Sequence, residues 1–130
     1  MAFISKKTNG VAINVQVYYQ PKNSSPINNN YLYAYRITII NQNPHTIQLL
    51  SRHWHIRDST GTNKEVQGDG VVGVQPIIEP NESYQYVSAC NLSSDIGKMY
   101  GTYTMLNLLT NTNFEVIIPA FVLIYPYKLN

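Results

Sequence analysis

One cysteine, Cys90, is all the thiol this chain has, so no intrachain disulfide can form. That usage fits a reducing compartment, and a cytoplasmic location is the expectation. Charge is scarce as well: charged residues make up 12%, against about 25% in an average soluble domain. Nine Lys and Arg against seven Asp and Glu give a formal charge of +2, too little for a polybasic nucleic-acid binder. No run approaches the roughly 18 apolar residues of a membrane helix. The opening Met1-Ala2-Phe3-Ile4-Ser5-Lys6-Lys7 places its basic pair after the apolar residues and has no signal-peptide core. Neither a nucleic acid nor a membrane is therefore expected as a partner.

What is present is uncharged polarity and β-forming residues. Asn occurs fifteen times and Tyr eleven, with seven Gly and seven Pro, a mixture that favours strands and turns over helices. The 130 residues suit one domain, since single cores take about 100–200. Alternation is clear from Val11 to Tyr19, with Val11, Ile13, Val15 and Val17 on one face, and again from Tyr31 to Asn41. Between them, Gln20 to Asn30 carries Pro21 and Pro26 and reads as a loop. Further strands are expected at about Thr46–Arg57, Lys64–Gln67, Val74–Ile78, Ser83–Ser88, Lys98–Leu108 and Asn113–Leu123. Pro76 puts its strand on an edge or at a bulge, and Pro119 marks a bulge in the last strand. A polar loop is expected from Asn91 to Gly97.

Residues 1–10 show no sustained period and read as a flexible lead-in, 11–126 as one domain, and 127–130 as a C-terminal tail. Seven to nine short strands without a helix point to an all-β fold, a sandwich of two antiparallel sheets. The segment Ile78-Glu79-Pro80-Asn81-Glu82-Ser83-Tyr84 resembles the tyrosine corner of immunoglobulin and fibronectin type III domains.

Candidate chemistry falls in two places. Gly68-Asp69-Gly70-Val71-Val72-Gly73 matches G-x-G-x-x-G, but no strand–helix context for a dinucleotide surrounds it. Its remaining functional reading is a nest of backbone N–H groups for a phosphate-bearing small ligand, helped by Arg52 or Arg57. The structural reading is a tight loop in which glycine supplies positive φ. The second place is Arg52-His53-Trp54-His55-Ile56-Arg57. On a strand, Arg52, Trp54 and Ile56 share one face, while His53, His55 and Arg57 share the other. Two imidazoles at i and i+2 can reach one Zn, Cu or Co ion, but a site needs a third ligand, and His45 is the only other histidine. No catalytic constellation assembles: the acids sit mostly in turns, and no spacing pairs Cys90 with a histidine. The tyrosines Tyr31, Tyr33, Tyr35, Tyr84, Tyr86, Tyr100 and Tyr103 read as packing rather than as a base-stacking platform.

Several ordered segments resemble the bacterial ApaG family. They include Tyr31-Leu32-Tyr33-Ala34-Tyr35, Gln48 to Trp54, Glu65 to Pro76, Tyr84-Gln85-Tyr86, Ser88-Ala89-Cys90, Gly97 to Tyr103 and Phe114 to Phe121. The resemblance spans about Val11 to Pro126. It implies a fibronectin type III-like sandwich without established enzymatic activity, an interaction role in appended domains, and a link to cobalt and magnesium resistance or efflux. It also implies the family's proposal of pyrophosphate or nucleotide binding at Gly68, Gly70 and Gly73. The family's P-G-E turn reads Pro80-Asn81-Glu82 here, its S-G-C reads Ser88-Ala89-Cys90, and His55 lies outside its pattern. The expectation is a non-enzymatic binding module, monomer or homodimer, with a protein partner and no cofactor. Anion binding at the glycine loop and metal binding at His53 and His55 are the alternatives.

Overall fold

In the computed structural model, residues 3–129 are described in backbone and 3–127 in side chain. Met1, Ala2 and Asn130, parts of the expected lead-in and tail, lie outside the described residues. Nine strands form two antiparallel sheets, as the sandwich expectation requires. The first sheet has the order β1-β2-β3-β7, with β1 Phe3–Thr8, β2 Val11–Tyr19, β3 Tyr31–Asn41 and β7 Ser83–Leu92. The second has the order β5-β4-β8-β9, with β4 Ile47–Asp58, β5 Asn63–Asp69, β8 Ile96–Asn107 and β9 Thr112–Ile124. The short β6, Ile77–Ile78, pairs with β4 beyond the point where β5 leaves it.

The core is what alternation selects. Val11, Ile13 and Val15 of β2 and Tyr33, Ile37 and Ile39 of β3 meet Leu49, Trp54, Met99, Tyr103, Ile118 and Phe121 across the sandwich. Trp54 packs edge-on against Tyr35 at 5.5 Å and Phe121 at 5.9 Å, a pairing geometry that aromatic quadrupoles favour. Buried hydroxyls of Tyr86 and Tyr103 bond to each other between the sheets.

Two expectations about the termini are corrected. Phe3–Thr8 is a strand, not a flexible lead-in, and it pairs along its length with β2. Its exposed Ser5, Lys6 and Lys7 hide the period because β1 is an edge strand. The readable signal was Asn9-Gly10, both at positive φ, the sequence favoured in two-residue hairpin turns. At the other end, a 3₁₀ turn, Pro126–Leu129, runs from the last residue of the expected domain into the expected 127–130 tail. Elsewhere the strand bounds shift. Val74–Ile78 shrinks to β6, with buried Pro76 just before it and its carbonyl accepting from Leu49 N–H at 3.0 Å. The expected Asn91–Gly97 loop narrows to residues 93–95, because β7 and β8 run on. Tyr84 packs against the core, and no hydrogen bond of its hydroxyl marks a tyrosine corner among the described residues.

Two bulges switch which residues face inward. In β4 the register shifts between Leu49 and Ser51, so Ile47 and Leu49 point into the core and then Trp54 and Ile56 do. In β9, Pro119 and Ala120 together oppose Tyr100 alone, which bears out the expected bulge. The inward set changes there from Val116 and Ile118 to Phe121 and Leu123.

Among the described residues Asn41, at the end of β3, is the one non-aromatic polar side chain that is buried, at 0% exposure. Its Nδ2 donates to the carbonyls of His45 at 2.9 Å and Ile78 at 3.0 Å. Its Oδ1 accepts from Asn43 N–H at 3.0 Å. Its backbone exchanges bonds with the β6–β7 turn, Asn41 N–H to Glu82 O and Asn81 N–H to Asn41 O. Asn81 takes φ +66° in that turn, the conformation glycine usually supplies. Asn41→Leu keeps the branched skeleton but removes the donor to the buried Ile78 carbonyl and the part-buried His45 carbonyl, and the acceptor of the Asn43 N–H. It is expected to lower the unfolding free energy by about 2–4 kcal/mol in urea titration, and a neutral result would contradict the role given to these bonds.

Candidate functional site

The bulge at Leu50 decides where the histidines go. Continued strictly, the alternation of Ile47 and Leu49 would turn His53 and His55 into the core. The extra residue sends Trp54 inward and both histidines onto the outer face of the second sheet. β5 then brings its own residues alongside, because its register sets His53 against Gln67 and His55 against Glu65. Residues directly opposite in an antiparallel pair share a face, so Glu65 joins the histidines.

The result is a three-residue cluster of potential ligands, with one donor atom from each of His53, His55 and Glu65 all within 4.8 Å of one another. His53 Nε2 lies 2.7 Å and His55 Nδ1 3.8 Å from Glu65 Oε1. The two imidazoles sit 4.5 Å apart between centroids. Gln67 Nε2 reaches His53 Nδ1 at 3.2 Å, and His55 stacks on Tyr100 at 4.9 Å with an interplanar angle of 11°. Both rings are therefore held from behind. The histidines are about one third exposed and Glu65 is open to solvent. The Glu65 carboxyl is held below its usual range, chiefly by the hydrogen bond from His53 and then by the charge of His55, so it stays ionised at neutral pH. The third candidate ligand beside the two histidines is thus Glu65 and not His45. His45 stands before β4, in the segment pinned by Asn41. Cross-strand position, which the linear sequence does not display, is what had hidden Glu65.

The glycine loop has a different character. It sits where β4 changes partner from β5 to β6, opposite the Leu50 bulge. Its amides are largely committed: Gly70 N–H donates to Leu50 O at 2.8 Å, Val71 N–H to Val74 O at 2.8 Å, and Val74 N–H to Val71 O at 3.1 Å. Arg52 does lie beside it, on the core-side face with Trp54, but its Nη1 donates to the Asp69 and Gly70 carbonyls at 3.0 and 2.9 Å. The guanidinium braces the loop and lies against Gly68, where a Cβ would come within 3.0 Å of it. A Cβ on Gly70 would strike the Val74 carbonyl at 2.2 Å. These glycines are accounted for by the fold. Arg57 is nowhere near them, since it pairs with Asn63 at the opposite end of the β4–β5 ladder and lies over the Tyr100 ring.

Other candidates settle into packing. Cys90 is buried, and burial pushes its thiol up to about 11, so it is neither a thiolate nor a soft ligand at neutral pH. Tyr31, Tyr33, Tyr35, Tyr86 and Tyr103 are buried, while Tyr100 lies on the outer face. One residue is out of place on local grounds. Val72, 65% exposed, takes φ +48° beside Gly73 at +76°, a turn geometry that favours Asn-Gly and strains a β-branched side chain. Val72→Asn is expected to raise the unfolding free energy by about 1 kcal/mol. Denaturant melts of the two proteins check this, and an unchanged or lower midpoint would refute the strain.

Comparison with known proteins agrees with this fold. The ApaG domain model matches residues 21–107. The chain is 47% identical over 119 residues to Protein ApaG of Mesorhizobium japonicum, covering 92% of this chain and 91% of that one. It is 43% identical over 122 residues to Protein ApaG of Brucella canis, covering 94% and 93%. A crystal structure described as an ApaA protein from Bordetella pertussis superposes with a TM-score of 0.86 at 40% identity, over 89% of this chain and 94% of that one. An X-ray structure of a structural-genomics target gives 0.87 at 39% identity, over 96% and 94%. The chain, a nine-stranded two-sheet sandwich, belongs to the ApaG domain family.

Proposed function

We propose that this ApaG-domain protein is a binding module, and that the outer face of its second sheet takes a divalent transition-metal ion at His53, His55 and Glu65. The observation that carries the reading is the convergence of two imidazoles and an ionised carboxylate from adjacent strands, with ligand atoms within 4.8 Å of one another. Sheet positions hold the first ligands, Tyr100 supports the His55 ring, and the Gln67 amide beside His53 Nδ1 would turn its Oε1 to that nitrogen to accept the N–H of a ligating imidazole. An ion at these three ligand atoms would take the place of the His53–Glu65 hydrogen bond.

The donor chemistry selects among metals. Imidazole suits Co, Ni, Cu and Zn, whereas Mg keeps its waters and prefers oxygen. Of the two metals that the family resemblance brings in, cobalt fits these residues and magnesium does not. Three protein ligands leave coordination positions open to water or to a second ligand.

Calorimetry on chelator-treated protein tests the proposal. Co²⁺ and Zn²⁺ are expected to bind one ion per chain and Mg²⁺ to give no heat. His53→Ala, His55→Ala and Glu65→Gln should each weaken Co²⁺ at least about tenfold. All three residues are at the surface, so circular dichroism should show the variants folded. Absence of heat with Co²⁺ and Zn²⁺, or affinity unchanged in the histidine variants, would reject the site.

A further inference from the structure

A groove on the outer face lies beside the histidines and is built differently from them. It encloses about 570 Å³ and is walled by β4, β8, β9 and the edge strand β1, a size typical of small-molecule sites. The β9 bulge shapes it. Pro119 and Ala120 share the single partner Tyr100, and all three residues line the groove at that bulge. Lys98 Nζ and Arg57 Cζ stand 5.7 and 5.8 Å from that ring's centroid, held by attraction to the aromatic face. Lys6 approaches from β1.

Three cations from three strands thus converge on one groove, and no carboxylate lines it. Among the described residues none of the three is ion-paired with an acid. Uncompensated like charges repel, so the arrangement serves the fold poorly and suits an anionic ligand well. The opposite wall is apolar, from Ile117, Ile118, Pro119 and Ala120. A bare inorganic anion would leave that wall and the ring unused.

We infer that this groove binds a small organic phosphate: Arg57, Lys98 and Lys6 take the phosphate oxygens, and Tyr100 with the β9 wall takes an apolar or planar organic part. Arg offers paired N–H donors to phosphate and Lys a point charge. The site is separate from the glycine loop, whose Gly70 and Val71 amides are bonded within the fold. It shares only His55 with the metal ligands and does not rest on metal binding.

The test is an amide NMR titration of chelator-treated protein with inorganic phosphate, phenyl phosphate and phenol in turn. Phenyl phosphate is expected to give saturable shifts at Lys98 to Thr102 and Ile117 to Ala120, with inorganic phosphate and phenol each weaker by about tenfold. Lys98→Gln and Lys6→Gln replace exposed side chains and should weaken phenyl phosphate about five- to tenfold while leaving the melting curve unchanged. Glu65→Gln and His53→Ala should leave phenyl phosphate binding intact, which separates this site from the metal site. No saturable shift at these residues would overturn the inference. Equal affinity for phosphate and phenyl phosphate would overturn the organic part of it, and undiminished binding in both lysine variants would overturn the assigned contacts.

Discussion

A buried amide holds the two sheets in register at one end of the molecule. The chain leaves the first sheet after β3 and returns to it after β6, and Asn41 bonds to both crossings at once. The network continues outward. Asn43 donates to the Asn9 carbonyl at 3.0 Å, and Asn9 in turn donates to the Glu115 carbonyl of β9 at 2.8 Å. One side chain at the end of β3 thereby helps fix the β1–β2 turn, the β3–β4 connection, β6 and the β6–β7 turn. Each bond contributes only about 1 kcal/mol net, but a buried carbonyl left without a donor costs more than that. An apolar residue at this position would fill the space and specify nothing. The apolar core drives collapse, and the amide selects how the crossings lie.

The bulges make a second kind of selection. A strand's side chains alternate with period two, so one inserted residue inverts everything beyond it. In β4 that inversion keeps Trp54 in the aromatic core and the imidazoles in solvent. In β9 it keeps Phe121 inward and sets Pro119 and Ala120 against Tyr100. Each bulge therefore completes the core with one set of side chains and builds a surface feature with the other. The close approach of β4 and β8 between these features leaves no room for a side chain at Gly101, where a Cβ would meet the His53 carbonyl at 2.1 Å.

Much of this was legible in the linear sequence. The strands with strong alternation, β2 and β3, carry one buried face each, and period two exposes that directly. The Pro119 bulge was readable because proline cannot serve an interior ladder. β1 was not, because an edge strand has little buried face to advertise and Asn9-Gly10 was the only sign of its pairing. The parity change from Leu49 to Trp54 was present in the spacing but becomes a bulge only once β8 supplies the register. Glu65 was invisible for a related reason. Its distance from His55 along the chain says nothing, while its place opposite His55 across the β4–β5 ladder says everything. Arg52 and Arg57 looked equivalent as flanks of one motif, yet the first braces a loop and the second stands over a groove.

The location of usable chemistry follows from where hydrogen-bonding capacity is already consumed. Loops at the ends of a sandwich are the usual place for binding residues, but here three of them spend much of their hydrogen-bonding capacity internally. Asn41 and Asn43 occupy the 41–46 segment, Glu79 and Glu82 close the β6–β7 turn on each other, and Arg52 with Gln75 ties down the glycine loop. The outer face of the second sheet keeps its capacity. Glu65 meets two imidazoles whose bonds to it a metal can replace, and Arg57, Lys98 and Lys6 face a groove without an acid. His55 belongs to both places, as a potential ligand on one side and as the ring stacked on Tyr100 on the other. A cation bound at the first proposed place would add positive charge beside the second, so that occupancy of either would favour occupancy of the other by the same factor. The two proposed places adjoin on one sheet face, and the strand ladders that bring their residues together are what conceal them in the sequence.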